Sequence, residues 1–222
     1  MSDFDAADPF PLLPEGLGSD AEARHAEAVD HWLGLNTAET EARLLSRAGA
    51  SPLPGAETGA QHWIGRAVRV FQTPYLELRR MLAALAPQPG QKIVDLGAAY
   101  GRLGFVLARH YPTVEFLGYE VVAERVRAGS DAMARLNPEA RFRLVETDIA
   151  ETEFVPERAD YYFIYDYGTR PQIEKTLEDL RELARSAPLT VIARGNASRD
   201  AIARAHPWLE GRHLGPYSIY RS

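Results

Sequence analysis

Four carboxylates stand where successive apolar runs in the middle of the chain end: Asp95 after KIV, Glu120 after FLGY, Asp148 in ETDI and Asp166 after FIY. Between the first two lies VDLGAAYGRLG, Val94 to Gly104. There Gly97 and Gly101 permit a tight turn and close approach of the backbone to a ligand, and the helix that follows offers free N–H groups. Glu120 lies twenty-three residues after Gly97, where a carboxylate can accept both hydrogen bonds from ribose hydroxyls. Asp148 beside a backbone N–H can read an adenine edge. Asp166 can accept a proton from an oxygen or nitrogen nucleophile or fix an ammonium group, and Tyr167 can form an aromatic wall attractive to a cation.

Plainer readings stand beside these. The two glycines could serve turn geometry alone, Glu120 could be a solvated strand end, and Asp148 could belong to a wet acidic loop, ETDIAETE. Asp95 either orients loop N–H groups or touches the ligand. Tyr161 and Tyr162 read as core.

The elements that must position these groups alternate. KIVDLG is followed by a helix over Gly101 to His110, then by VEFLGYEVV, the helix AERVRAGSDAMARLN and RFRLVETDI; next come DYYFIYDYG, an amphipathic helix from about Arg170 and LTVIA. This alternation predicts a mainly parallel sheet with helices on both faces and a ligand over the carboxyl ends of the strands. Thr169, Pro171 and Gln172 form a helix start with a capping box. Arg170 either binds an acidic substrate group there or faces solvent. ARGNASRD after the fifth strand could turn Arg194 and Asn196 to the cleft, with Ser198 as a helix cap; YSIYRS reads as a strand finishing the sheet and Trp208 as packing.

Ahead of the sheet, residues 20–48 have helical spacing, SPLPGAETG is a break, and a second helical stretch from about Gln61 is interrupted at Pro74 and resumes through Tyr75 to Leu85. Residues 20–90 are therefore expected to form a helical lid on a domain of residues 91–222. The first twenty residues carry Asp3, Asp5, Asp8, Glu15 and Asp20 without a Lys or Arg, so they hold -5 of the net charge of -6 and leave -1 for the other 202. Acidic and Pro-rich, residues 1–19 are expected to be a mobile tail. The nearly neutral body lacks an electrostatic footprint for nucleic acid, which is an unlikely partner unless arginines cluster in space. With no cysteine, disulfides, thiolate zinc sites and a cysteine nucleophile are excluded, and no two of the six histidines have the i, i+4 spacing of a helical metal site. No metal is expected. No apolar run approaches a membrane span and the N-terminus lacks signal-peptide regions, which points to a cytoplasmic protein without a membrane partner.

From Lys92 through Gly168 the chain resembles the class I S-adenosylmethionine-dependent methyltransferases. The resemblance implies a mainly parallel seven-stranded sheet with an N-terminal helical extension, and S-adenosyl-L-methionine as cofactor. It implies that the D-x-G-x-x-x-G turn of Asp95, Gly97 and Gly101, with Ala98 and Ala99, surrounds the methionine part. Glu120 and Val121 would lie at the ribose, Asp148 and Ile149 at the adenine, and Asp166 and Tyr167 beside the transferred methyl. Ala99 replaces the family's usual middle glycine. VFQTPYLELRR, Val70 to Arg80, resembles a T-P-Y turn that crosses the cofactor in some relatives, which adds Thr73 and Tyr75, and more weakly Gln72. YDYGTRP departs from the D/N-P-P-Y motif, so planar amino groups of adenine or glutamine are not the expected acceptors. The implied activity is methyl transfer to an oxygen or nitrogen of a small molecule or a protein side chain. A nicotinamide enzyme is the alternative, but its G-x-G-x-x-G would need glycine where Ala99 and Arg102 stand. A catalytically silent cofactor-binding or interaction module is a third reading.

Overall fold

The computed structural model describes residues 4–14, 18–48 and 63–222. Four N-terminal helices, α1 (Ser19–Leu33), α2 (Thr37–Ala48), α3 (Val68–Phe71) and α4 (Tyr75–Leu85), precede an alternating region. There β1 (Lys92–Leu96), α5 (Arg102–His110), β2 (Glu115–Glu120), α6 (Ala123–Leu136) and β3 (Phe142–Glu146) are followed by β4 (Tyr161–Tyr165), α7 (Arg170–Ala184), β5 (Thr190–Arg194) and α8 (Asn196–Ala205). The antiparallel strands β6 (Glu210–Leu214) and β7 (Tyr217–Arg221) close the chain. The sheet order is β3-β2-β1-β4-β5-β7-β6. β1 pairs in parallel with β2 on one side and β4 on the other, so the order reverses beside β1, and that switch point opens a crevice at the strand ends.

Two apolar clusters cover the two faces of the sheet. One joins Val29, Tyr75 and Leu82 of the extension to Phe105, Phe116 and Ile192; the other packs Ile173, Leu177 and Ile202 of α7 and α8 against Val94, Leu117 and Val191. Helices α1 and α4 thus share the core of the sheet.

Two sequence expectations change. The helical stretch of residues 20–48 breaks at Gly34, whose left-handed φ of 72° ends α1 before α2 starts. Among the described residues of the stretch expected to be a mobile tail, Phe10 is packed: it is 1% exposed, its ring lies 5.2 Å from that of Tyr75, and its carbonyl meets His110 Nε2 at 3.1 Å. Burying a phenylalanine stabilises by roughly 1.5–3 kcal/mol, enough to hold this acidic stretch down. The final strand expected of YSIYRS is present as β7, which inserts between β5 and β6. The expected helix start near Gln61 lies outside the described residues. No helix among the described residues is long and apolar enough to cross a membrane.

Candidate functional site

The turn after β1 is shaped for close approach. Gly97 has φ 88°, and a Cβ there would fall 2.7 Å from Tyr167 Cβ, so neither conformation nor space admits a side chain. Ala99 also takes a positive φ, 48°. Gly101 caps α5 in a left-handed conformation, and the place of its missing side chain is filled by Phe142, 2.8 Å from an added Cβ. Gly101 therefore serves packing inside the protein and does not border the crevice.

At the end of β2 the buried carboxylate of Glu120 ties two turns together. Its Oε2 accepts the Ala99 N–H and its Oε1 the Val122 N–H, both at 2.9 Å. Each oxygen retains acceptor capacity for a further donor. Asp148, beyond β3, accepts the Ala150 N–H at 2.9 Å. Gly97, Ala99, Glu120, Val121, Asp148, Ile149 and Tyr167, all named from the sequence, line one cavity. Its walls also include Trp63, Phe71, Tyr119, Arg125, Tyr165 and Gln172. Of these, Phe71, Tyr119, Arg125 and Gln172 escape sequence reasoning. Arg125 leaves one signal, an arginine in the first turn of the helix that follows Glu120.

The cavity continues past Gly97 to a second chamber bordered by Gln72, Thr73, Asp95, Ala98 and Phe163. Asp95 is buried on β1. Burial first, and then the charge of Glu120, push its carboxyl up to about 8, with no hydrogen bond to offset them. Gln72 is 3% exposed, and both of its amide atoms and the Thr73 hydroxyl have no hydrogen-bond partner among the described residues. Such groups are costly to bury unmatched, so this chamber suits a ligand that carries donors and acceptors of its own. The open space is small, about 40 Å³ in the first chamber and 20 Å³ in the second.

Several expected site residues are engaged elsewhere. The Tyr75 hydroxyl donates to Asp30 Oδ1 at 2.7 Å beneath the Arg102 guanidinium, so Tyr75 belongs to a buried network and forms no wall of either chamber. Asp166, at φ 37°, turns its carboxylate onto the start of α8, where it accepts the N–H groups of Ala197 at 3.1 Å and Ser198 at 2.9 Å. The Ser198 hydroxyl donates to it as well. Asp166 thus caps α8, a role expected of Ser198, and it also borders a further cavity with Phe71, Tyr165 and Asn196. The Tyr167 hydroxyl is buried against Thr176 and the Gln172 carbonyl, and burial raises its pKa. Its ring remains a wall. Arg170 pairs with Glu174 at 2.8 Å on the surface, and Arg194 with Glu77 at 2.7 and 3.0 Å. The capping box of Thr169 and Gln172 is present.

This strand order, with β7 antiparallel beside β5, and a crevice over β1 define the fold of the class I S-adenosylmethionine-dependent methyltransferases. No family model matches the chain. Among solved structures it is similar to an RNA methyltransferase from Salinibacter ruber in complex with S-adenosyl-L-homocysteine, with a TM-score of 0.51 and 19% identity over 68% of this chain and 91% of that one. It is similar also to a precorrin-6y C5,15-methyltransferase from Geobacter metallireducens, with a TM-score of 0.52 and 15% identity over 70% and 90% of the two chains. The C-terminal domain of the Rhodobacter capsulatus precorrin-6Y C5,15-methyltransferase gives 0.50 and 19% over 78% and 98%.

Proposed function

We propose that this chain is an S-adenosyl-L-methionine-dependent methyltransferase acting on an oxygen or nitrogen of a small molecule or a protein side chain. The observation that carries the proposal is the pairing of two unlike ends in one crevice. Glu120 and Asp148 offer acceptors suited to a ribose and an adenine edge, while Asp95 is a buried carboxyl with no donor, beside the unpartnered Gln72 and Thr73. An amino acid fits that second end: its ammonium would pair with Asp95, and its carboxylate would accept from Thr73 and the Gln72 amide. A dinucleotide fits worse, since its pyrophosphate would stand against Asp95 and Glu120.

When bound, the cofactor supplies an electrophilic methyl on a sulfonium. The chain's contribution is alignment and exclusion of water, with Tyr165, Tyr167 and Phe71 as apolar walls. With Asp166 and Tyr167 engaged, neither supplies a base, and the favoured acceptor is one that arrives with a free lone pair, such as a neutral amine. An RNA acceptor is the second reading, favoured by the RNA methyltransferase among the similar structures and opposed by the nearly neutral charge of the body.

Turnover of S-adenosylmethionine against a panel of metabolites, peptides and RNA tests the assignment. Product should form with a small molecule or peptide. Tight binding of NAD with none of S-adenosylhomocysteine would overturn the reading, and product with RNA alone would replace the acceptor.

A further inference from the structure

Arg125 sits between two carboxylates that lie far apart in sequence. On the first turn of α6, it is 2% exposed and lines the crevice. Its Nε and Nη2 donate to the two oxygens of Glu41 in α2 at 2.8 and 2.9 Å. Its third nitrogen, Nη1, stands 3.5 Å from Glu120 Oε1, outside the usual range of an N–H···O bond. Phe71 covers one face of the guanidinium at 4.5 Å, and the Tyr100 hydroxyl donates to Glu41 Oε1 at 2.8 Å. Glu41 thus accepts three hydrogen bonds from side chains. Glu120 has only two backbone amides and keeps its remaining acceptor capacity toward the crevice.

A guanidinium forks onto a carboxylate wherever it can, and the bidentate pair is among the strongest hydrogen-bonded arrangements in proteins. If Glu41 did not hold both arms, a shift of under about 1 Å would place Arg125 directly on Glu120, within ordinary N–H···O range. That would consume the acceptors a ribose needs.

We infer that Glu41, from the N-terminal extension, is a positioning residue for the nucleoside end of the site: it holds Arg125 off Glu120 and so keeps that carboxylate free for the ribose hydroxyls. The inference rests on the cofactor reading above. It makes α2 a working part of ribose recognition, acting through α6 without touching the ligand.

The test uses the whole chain and two probes, S-adenosylhomocysteine and its 2′,3′-dideoxy analogue, which lacks both ribose hydroxyls. Thermal melts first establish that each variant is folded. Glu41→Gln should weaken S-adenosylhomocysteine by about tenfold and leave the dideoxy analogue within about twofold, since only the former needs the acceptors of Glu120. The double change Glu41→Gln with Arg125→Gln removes the competing guanidinium and should restore S-adenosylhomocysteine to within about threefold of the original chain. A merely structural Glu41 would weaken both probes alike and make the double variant worse than the single; either result overturns the inference. Where Glu41→Gln does not fold, Glu41→Asp keeps the charge with a shorter reach, and equal losses for the two probes would again overturn it. Failure of the unaltered chain to bind S-adenosylhomocysteine is a separate outcome, which sinks the cofactor reading itself.

Discussion

The two ends of the crevice are built in different ways. At the nucleoside end the sheet supplies the chemistry: Glu120 and Asp148 come from successive strand ends, and the turns they join are neighbours in the parallel ladder. At the opposite end the extension contributes Gln72 and Thr73 to the walls, and among the described residues three acid–arginine pairs, two buried and one part-buried, fasten it to the sheet domain. Asp30 of α1 holds Arg102 of α5, Glu41 of α2 holds Arg125 of α6, and Glu77 of α4 holds Arg194 of β5. Arg102 and Arg125 border the crevice, and Arg194 stacks beneath Tyr165 at 4.1 Å. On the proposed function, the parallel sheet thus supplies the carboxylates of the nucleoside end from its own topology, while the extension adds Phe71 to its wall and Glu41 behind Arg125. The amino-acid end depends on an added layer, held by charges that have been taken out of water.

Buried pairs contribute little net stability, but losing one partner leaves an uncompensated charge. The largest effect is therefore expected from Asp30→Asn, which strands Arg102 beneath the Tyr75 ring and should cost on the order of 3–5 kcal/mol in urea unfolding. A loss under about 1 kcal/mol would mean that solvent reaches Arg102 and that the extension is not fastened there.

The next effect concerns Asp95 and has a definite sign. Its carboxyl is raised to about 8 in the folded chain, above the ordinary carboxylate value it has when unfolded. The folded state therefore holds the proton more tightly, and stability is highest below the unfolded pKa and falls as pH rises toward 8, by at most about 1.4 kcal/mol per pH unit. Asp95→Asn should abolish that slope, matching the unaltered chain near pH 4 and exceeding its stability at pH 8. Parallel stability curves for the two proteins would show that Asp95 is solvated or paired.

At the nucleoside end, Glu120→Ala should weaken S-adenosylhomocysteine at least about tenfold, or roughly 1.4 kcal/mol, in calorimetry on the folded variant. Unchanged affinity would remove Glu120 from the site. The smallest effect is expected at Asp166→Asn. The helix cap loses its charge, at about 0.5–1 kcal/mol of stability, while cofactor affinity and turnover stay as they were. A lost turnover with an intact fold would return Asp166 to the chemistry.

The same division governs what could be read without a structure. Strand, turn and helix alternation from Lys92 is local patterning, so the sheet, its switch point and the acids at its strand ends are legible. Glu120 and Asp148 line the crevice where that pattern puts them. What could not be read is partner choice over distance: Arg102 meets an acid 72 residues away, Arg125 one 84 away and Arg194 one 117 away. No periodicity couples such positions. Asp166 shows the converse failure. Its place at a strand end was readable, but the direction of its side chain is set by the unpaired N–H groups of α8, which nothing adjacent to it in sequence reveals. Phe10 misleads in a third way, because one buried ring outweighs the acidic composition around it.

The central claim is that an amino-acid ammonium meets Asp95 in the chamber walled by Gln72 and Thr73. It is tested most directly by calorimetric titration of S-adenosylhomocysteine at pH 7 in two buffers of different ionisation enthalpy. At that pH the empty site holds Asp95 largely protonated, since its carboxyl is raised to about 8. An arriving cation favours the carboxylate, so binding should release close to one proton, and affinity should rise as pH climbs toward 8. Asp95→Asn should bind with no proton release. Binding without release in the unaltered chain, or equal release from both proteins, would place the ammonium elsewhere and contradict the account.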